Sequence, residues 1–532
     1  MQNIKDVIQN NQTALGIEFG STRIKAVLTD LKGNVLAGGA HDWENSLVNG
    51  VWTYSYDEIE NGLKSCYSAL KKDVKDKYGV VLTSVGAMGV SAMMHGYIAL
   101  DFAGKPLAPF RTWRNSETGE AAEELTNLFG FNIPLRWTVS HLYQRMLDKE
   151  PHLAYADFVT TLDSYIHYRL TGEKVTGVGD ASGIFPIDPG TLNYDAEMAG
   201  KFETLAAKHG YDIHVDEIFP KVLVAGDVAG KLTEEGARLI DPEGDLKAGI
   251  PLCPPEGDAG TGMVATNAVK PGTGNVSAGT STFAMVVLEK NLSKLHREID
   301  MVTTPTGFPV AMSHANNGTS DLNAWVGMFK EFAELLGCDI SMGELYEKLY
   351  RNSLSGDADC GGLMSYGYYS GEGITKLSEG RPLYMRTPES RFNLANLMRS
   401  HLYASLGAVK LGMDILTKDE GVTIKKITGH GGLFKTEGVA QKYLAAAVNS
   451  PVTVMETAGE GGPWGMAVLA AYMNCRGEGE SLEDFLEKII FADAKELTMD
   501  PDPADVAGFE QFTERYKAGI AVEAKAVESV KW

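Results

Sequence analysis

Two turns built from glycine and hydroxyl residues, Gly20-Ser21-Thr22 and Gly279-Thr280-Ser281, each join a pair of apolar strands, one early in the chain and one near its middle. A phosphate chain needs several donors converging on its oxygens. Glycine lets backbone N–H groups approach without a Cβ in the way, and serine and threonine add hydroxyl donors. Either turn alone is an ordinary hairpin; their repetition suggests a two-sided phosphate clamp. Two residues ahead of the first turn stands Glu18, a carboxylate between Ile17 and Phe19. An unpaired buried charge is costly, so strand alternation points Glu18 to solvent or it has a cation to hold. Hydrated Mg²⁺ beside phosphates fits the second reading, because that ion takes oxygen ligands and keeps several waters.

Asp258 lies in Glu256-Gly257-Asp258-Ala259-Gly260-Thr261-Gly262. Phosphoryl transfer asks little covalent chemistry of a protein beyond positioning, charge neutralisation and a carboxylate that takes the acceptor's proton. Asp258 has the type and setting for that base; the plain alternative is an Asx turn in a glycine-rich linker. Met94-His95-Gly96 follows an apolar strand, and strand ends are where ligands gather in α/β sheets, although a lone histidine can equally be structural. ITGHGGLFKTEG reads as strand, glycine-rich loop and helix, with Gly431 and Gly432 leaving room for a base or ribose. A second such loop, Ala458-Gly459-Glu460-Gly461-Gly462, opens a helix at Pro463.

The elements that must position these residues follow from periodicity. TALGIEF, the first turn, IKAVLTD, the Lys32-Gly33-Asn34 turn and VLAGGA form a β-meander. Residues 57–77 carry apolar positions at helical spacing, and strand VGAMGVSAM follows, which points to an α/β fold. GNVSAGTSTFAMVVLEK repeats the opening figure at residues 274–290. That period is too long for a solenoid and implies a duplicated domain. Pro254 and Pro255 in IPLCPPEGDAGTGM mark the junction, which places an N-terminal domain at residues 1–264 and a C-terminal domain at 265–532. Further helices are expected near 340–351, 391–417, 436–449 and 463–475.

Composition bounds the rest. At 532 residues the chain exceeds a single core, and 44% hydrophobic with 22% charged residues is ordinary for a globular protein. A net charge of -22 disfavours nucleic acid and anionic membrane as partners. Five scattered cysteines (Cys66, Cys253, Cys338, Cys360, Cys475) suit neither a disulfide framework nor a zinc site. The opening residues lack the apolar core of a signal peptide, and no apolar run approaches the roughly 20 residues of a membrane span. A cytoplasmic location is expected.

The order of these motifs resembles the FGGY carbohydrate kinases, of the actin/hexokinase/Hsp70 superfamily. GIEFGSTRIKAVLTD resembles the first phosphate motif of that family, GVSAMMHGYIALD the sugar-binding strand of xylulokinases, and LDSYIHYRLTGEKVTGVGDASGIFPID a stretch of the N-terminal domain. GDAGTG stands at the place of the catalytic aspartate, NVSAGTSTFAMVV at the second phosphate motif, YGYYSGE at a family "P-Y-L-S-G-E", and TGHGGLFKT at the adenosine motif. The resemblance implies an α/β fold of two ribonuclease-H-like domains with the catalytic cleft between them. It implies ATP-dependent phosphorylation of a ketose hydroxyl with Mg²⁺ as cofactor, a small sugar and ATP as partners, and leaves a homodimer open.

Carried over by position, Asp258 would be the general base and, with Glu18, border the metal. Met94, His95 and Trp113 would contact the sugar. Ser21, Thr22 and Lys25 would face the phosphates, with Gly279 and Thr280 opposite, and Gly431, Gly432 and Lys435 would border the adenosine. Four features depart from the family pattern: Glu18 replaces an aspartate, Ala259 and Met93 replace the xylulokinase Asn and Gln, and TVSHLYQRMLDKEPH lacks the usual Lys and Trp. The Asp-Ala pair and Phe-Gly-Ser look closer to ribulokinases, which generally lack Met-His-Gly. A ketopentose such as D-xylulose is the expected acceptor. L-ribulose, a deoxyhexulose and a polyol remain alternatives, as does a non-catalytic ATP-binding protein of the actin-like class.

Overall fold

The computed structural model describes residues 4–455 and 461–531; the expected loop residues Ala458, Gly459 and Glu460 lie outside them. The elements that matter for the site are, in chain order, β1 (Thr13–Phe19), β2 (Arg23–Asp30), β3 (Val35–Asp42), α1 (Tyr56–Tyr78), β4 (Ala87–Ala92), α2 (Val178–Ile184), β5 (Pro251–Leu252) and α3 (Asp258–Ala265). In the second half they are β6 (Thr273–Ala278), β7 (Thr282–Val287), β8 (Asp300–Thr303), β9 (Pro309–Ala315), α4 (Ser320–Leu335), α5 (Met342–Ser353) and α6 (Leu394–Asp414). They continue with β10 (Lys426–His430), α7 (Val439–Val448), β11 (Val452–Met455) and α8 (Gly461–Cys475).

Each half is built on one mixed sheet. The first contains the order β3-β2-β1-β4-β5 and the second contains β9-β7-β6-β10-β11, with β8 outside β9. In both, the central strand runs antiparallel to the hairpin partner and parallel to the strand beyond it. The meander and its repetition are therefore present as the sequence implies, and the duplicated turns occupy equivalent places. The expected helices are also found, at Tyr56–Tyr78, Met342–Ser353, Leu394–Asp414, Val439–Val448 and Gly461–Cys475. α1 is bounded by a capping box between Ser55 and Glu58 and by Gly79 at φ 65°, local signals that fix both ends of a helix.

Two features were not legible. The glycine-rich junction is helical from Asp258 onward, although glycine disfavours a helix interior by about 1 kcal/mol relative to alanine. Its small residues serve close packing: a Cβ at Gly465 of α8 would fall 2.2 Å from Thr261 O of α3. Second, α8 leaves the second sheet and lies on the first, against β1 and β4 as well as α3. It is apolar all round and buried from Gly462 to Tyr472, the pattern of a helix enclosed by protein. Trp464 Nε1 donates to Gly33 O at 2.7 Å, tying α8 to the β2–β3 turn. Burying Trp464, Met466 and Leu469 contributes roughly 1.5–3 kcal/mol each. The first sheet is thus completed by a helix from the far end of the chain. Among the described residues no helix is long and apolar enough to cross a membrane.

Candidate functional site

The first hydroxyl turn is held from below. Gly20 N–H donates to Arg23 O at 3.1 Å, Trp43 Nε1 to Gly20 O at 2.7 Å, and Tyr54 OH to Ser21 O at 2.5 Å. Trp43 and Tyr54 stack at 3.9 Å. These bonds consume carbonyls and leave Ser21, Thr22 and Lys25 exposed on the outer side. The second turn is braced likewise: Gly318 N–H donates to Thr280 O at 2.8 Å and Thr319 N–H to Gly279 O at 2.9 Å. Buried Glu372 of the YSGE stretch accepts from Asn317 N and Nδ2 at 3.2 and 3.1 Å, which fixes the loop that carries Gly318.

Glu18 does not face open solvent. On β1 it is opposite Lys25 of β2 and Ser91 of β4, and its carboxylate tucks under the start of α8. A Cβ at Gly462 would fall 2.0 Å from Glu18 Oε1. Burial, then the negative charge of Asp258, push the Glu18 carboxyl up to about 7, against a smaller opposing effect of Lys25. The equivalent position in the second half is Ser277, so only the first clamp carries a carboxylate.

Asp258 is the first residue of α3 and accepts a hydrogen bond from Met94 N–H at 3.1 Å. The residue is exposed to water, yet protein surrounds its carboxyl closely enough to act on it. Burial raises its pKa, and hydrogen bonds from backbone N–H groups together with the Arg136 charge oppose that rise. His95 is held at φ 72°, a left-handed conformation uncommon for a side-chain-bearing residue. The segment after it is pinned: Gly96 N–H donates to Arg136 O at 3.2 Å, Thr138 Oγ1 to Gly96 O at 2.8 Å, and Trp137 stacks on the His95 ring at 6.4 Å. Burial, then Arg136, depress His95 well below its ordinary range, so its imidazole is neutral at pH 7. Trp113 is 42% exposed, on a segment anchored by Thr112 N–H to Trp52 O at 3.1 Å.

Beneath the Asp258 turn lie three fully buried carboxyls, Asp163, Asp180 and Glu256. Thr161 Oγ1 and Thr176 Oγ1 donate to Asp180 Oδ2 at 2.6 and 3.2 Å. A Cβ at Gly179 would fall 2.2 Å from Glu256 Oε1, so α2 and the Glu256 turn touch through a glycine. Burial and mutual repulsion raise all three, Glu256 to about 8. Asp180 belongs to the DASG stretch, but periodicity assigns neither it nor Arg136 a place at the cleft.

In the second half Gly431 sits at φ 100°, and a Cβ there would fall 2.5 Å from Ala278 O. Both facts demand glycine and bring the β10 loop against the strand leading into the second hydroxyl turn. Gly432 and Lys435 border a cavity of about 600 Å³ whose other walls include Thr319 and Asn323 of the α4 end and Tyr346 and Arg351 of α5. This volume suits a nucleoside-sized ligand. The α4 and α5 walls carry no motif and are found only when the helices close over the loop.

The structure therefore gathers Glu18, Met94, His95 and Asp258 in one neighbourhood, and Gly279, Thr280, Gly431 and Gly432 in another. As to a metal, no cluster of three or more His, Cys, Asp or Glu side chains among the described residues is arranged to hold an ion. Glu18 and Asp258 form an oxygen-only pair close enough to raise Glu18. Such a pair suits a hydrated Mg²⁺ that takes its remaining ligands from water and phosphate.

Known proteins share the two-part architecture. Residues 13–264 match the profile described as "FGGY family of carbohydrate kinases, N-terminal domain", and residues 274–474 match its C-terminal counterpart. The chain is 23% identical over 515 residues to a xylulose kinase of Haemophilus influenzae, covering 94% of this chain and 98% of that protein. Its fold is similar to that of a xylulose kinase from Rhodospirillum rubrum, with TM-score 0.76, 19% identity and coverage of 96% and 98% of the two chains. It is also similar to that of a gluconate kinase from Lactobacillus acidophilus, with TM-score 0.75, 18% identity and coverage of 96% and 99%. With both halves of the profile matched across most of its length, the chain belongs to the FGGY family of carbohydrate kinases.

Proposed function

We propose that this kinase transfers the γ-phosphoryl group of ATP to a hydroxyl of a small neutral ketose, a ketopentose such as D-xylulose, with Asp258 as the general base. The observation that carries the reading is the placement of Asp258. Its carboxylate stands at the start of α3, oriented by Met94 N–H, beside buried neutral His95 and within electrostatic reach of Glu18. Residues 1–264 form the acceptor half and residues 265–532 the adenosine half of the proposed enzyme. ATP lies with its adenosine in the cavity bordered by Gly432 and Lys435 and its phosphates between the two hydroxyl turns. Gly431 belongs to the same wall, and Lys25, Ser21 and Thr22 meet the phosphates from the first half. Met94, His95 and Trp113 contact the sugar.

The acceptor hydroxyl attacks the γ-phosphorus, its O–P bond forming as the bond to the β–γ bridging oxygen breaks and ADP leaves. The hydroxyl proton passes to Asp258 Oδ, whose raised pKa makes it a better base than an ordinary aspartate. Neutral His95 offers a hydrogen bond to a sugar oxygen without adding charge. Mg²⁺, when bound beside Glu18 and Asp258, supplies neutralisation of the phosphate charge that builds in the transition state. Closure of the two halves over both substrates keeps water from the γ-phosphoryl group, which would otherwise be lost to hydrolysis.

The test is ADP release from Mg-ATP across a panel of ketopentoses, deoxyhexuloses and polyols. One neutral sugar that stimulates release well above the basal rate supports the reading. Binding of ATP without stimulation by any sugar moves the protein to the non-catalytic class.

A further inference from the structure

A cavity of about 470 Å³ lies between the halves. One wall is the 119–136 segment of the first half, and the other is formed by residues 297–316 and 372–374 of the second. Its charged lining is Glu123, Arg136, Arg297, Glu298, Asp300 and Glu372. Arg136 connects it to the chemistry. The guanidinium acts electrostatically on Asp258, on His95 and on His314, and the Arg136 carbonyl pins the turn after His95. From the opposite half Asp300 Oδ2 accepts from Arg136 Nη2, and Asp300 Oδ1 accepts from Asn132 Nδ2 at 3.0 Å. The pair is partly buried, with side chains 28% and 15% exposed. Arg297 is bound by Glu123 at 2.6 and 3.0 Å.

We infer that Arg136 is an acceptor-binding residue, held across the cleft by Asp300, and that the pair reads the hydroxyl-bearing, uncharged end of the acceptor remote from the phosphorylated position. This deepens, and rests on, the ketose-kinase reading above. The argument is one of chemistry and charge. A guanidinium paired with a carboxylate presents donors and acceptors side by side, which matches hydroxyl groups, since each of these both donates and accepts. Four carboxyls against two guanidiniums line the cavity, and both guanidiniums already have carboxylate partners. A sugar acid would bring its carboxylate into that negative surround and would have to compete with Asp300 for Arg136. The lining therefore selects against aldonates, in contrast to the gluconate kinase whose fold the chain shares. Because Arg136 and Asp300 come from different halves, the far end of the acceptor is read only when the halves are together.

The experiment compares native protein, Arg136→Gln, Arg136→Lys and Asp300→Asn with D-xylulose and D-gluconate as acceptors, reading KM and kcat for each acceptor and KM for ATP. For Arg136→Gln, the D-xylulose KM should rise on the order of tenfold or more, as expected when a charged hydrogen-bond donor is lost. kcat should fall less than KM rises, and KM for ATP should stay within about twofold, because the adenosine cavity is remote from the pair. Arg136→Lys restores part of the loss. Asp300→Asn frees the guanidinium and raises the rate with D-gluconate relative to D-xylulose. An unchanged D-xylulose KM in Arg136→Gln overturns the inference while leaving the ketose-kinase reading intact, and native protein that prefers D-gluconate overturns both the inference and the neutral-ketose acceptor while leaving the phosphoryl transfer itself intact. Native protein with no sugar-stimulated turnover overturns the reading and this inference with it.

Discussion

Replacing Glu18 with glutamine should stabilise the fold above neutral pH and at the same time impair phosphoryl transfer. The Glu18 carboxyl rises from an ordinary 4.5 to about 7 in the folded chain, mainly through burial and then through Asp258. A group whose pKa is raised on folding holds its proton more tightly in the folded state. Its contribution is fully present below 4.5 and is lost as pH climbs through about 7. At pH 8 the folded protein must carry an ionised carboxylate in a place that disfavours it, at a cost of about 3 kcal/mol from the size of the rise at 1.4 kcal/mol per pH unit. Water in the cleft and local relaxation reduce this to roughly 2 kcal/mol. Glutamine keeps the shape and removes the charge.

The assay is urea unfolding without nucleotide or metal, from pH 5 to pH 8. The variant should be more stable by about 2 kcal/mol at pH 8, with the advantage shrinking as pH falls toward 5. Turnover with sugar and Mg-ATP should drop by about 10–100-fold, the scale on which disturbed metal-site partners act. Parallel stability profiles for the two proteins would refute the reasoning, because that is what a solvent-facing Glu18 gives.

Two glycine substitutions test the packing that builds the site. Gly16→Ala puts a Cβ 2.0 Å from Pro463 O and 2.5 Å from Ala467 N, both backbone atoms of α8; it should cost about 3 kcal/mol or more, read as a lowered thermal midpoint. Gly431→Ala meets Ala278 O at 2.5 Å at φ 100°. Its expected cost is about 2–4 kcal/mol, together with weaker binding of ADP in a calorimetric titration and little change in sugar binding. Equal ADP affinity in a folded Gly431→Ala protein would contradict the placement of adenosine beside the β10 loop.

The sequence made the local part of this architecture readable. The apolar strands flanking Ser21 and Thr280 and the amphipathic helices each carry their own signal over a few turns of chain. What it left ambiguous has a physical pattern. β1 is covered on both faces, by the apolar cluster that α1 contributes to on one side and by α8 on the other, so the alternation that would have oriented Glu18 is erased. The helix beginning at Asp258 contradicts glycine propensity and exists because α8 packs on it, a contact between residues some two hundred positions apart. Arg136 sits in PLRWT with no motif around it. Its meaning comes from Asp300, which only the meeting of the two halves supplies. Composition likewise gave no warning of the buried carboxyl layer of Asp163, Asp180 and Glu256, whose burial is set by α2 and the Glu256 turn.

The central claim is that Asp258 takes the acceptor's proton. Its most direct test is Asp258→Asn, measured for sugar-stimulated ADP release and, separately, for ADP and sugar binding by calorimetry. Asparagine can still accept the hydrogen bond from Met94 N–H but cannot accept the proton. Turnover should therefore collapse by about 10²–10⁴-fold, the range attributed to general-base catalysis, while both ligands bind with affinities close to native. Turnover in Asp258→Asn within a few-fold of the native rate would contradict the account and place the base elsewhere in the cleft.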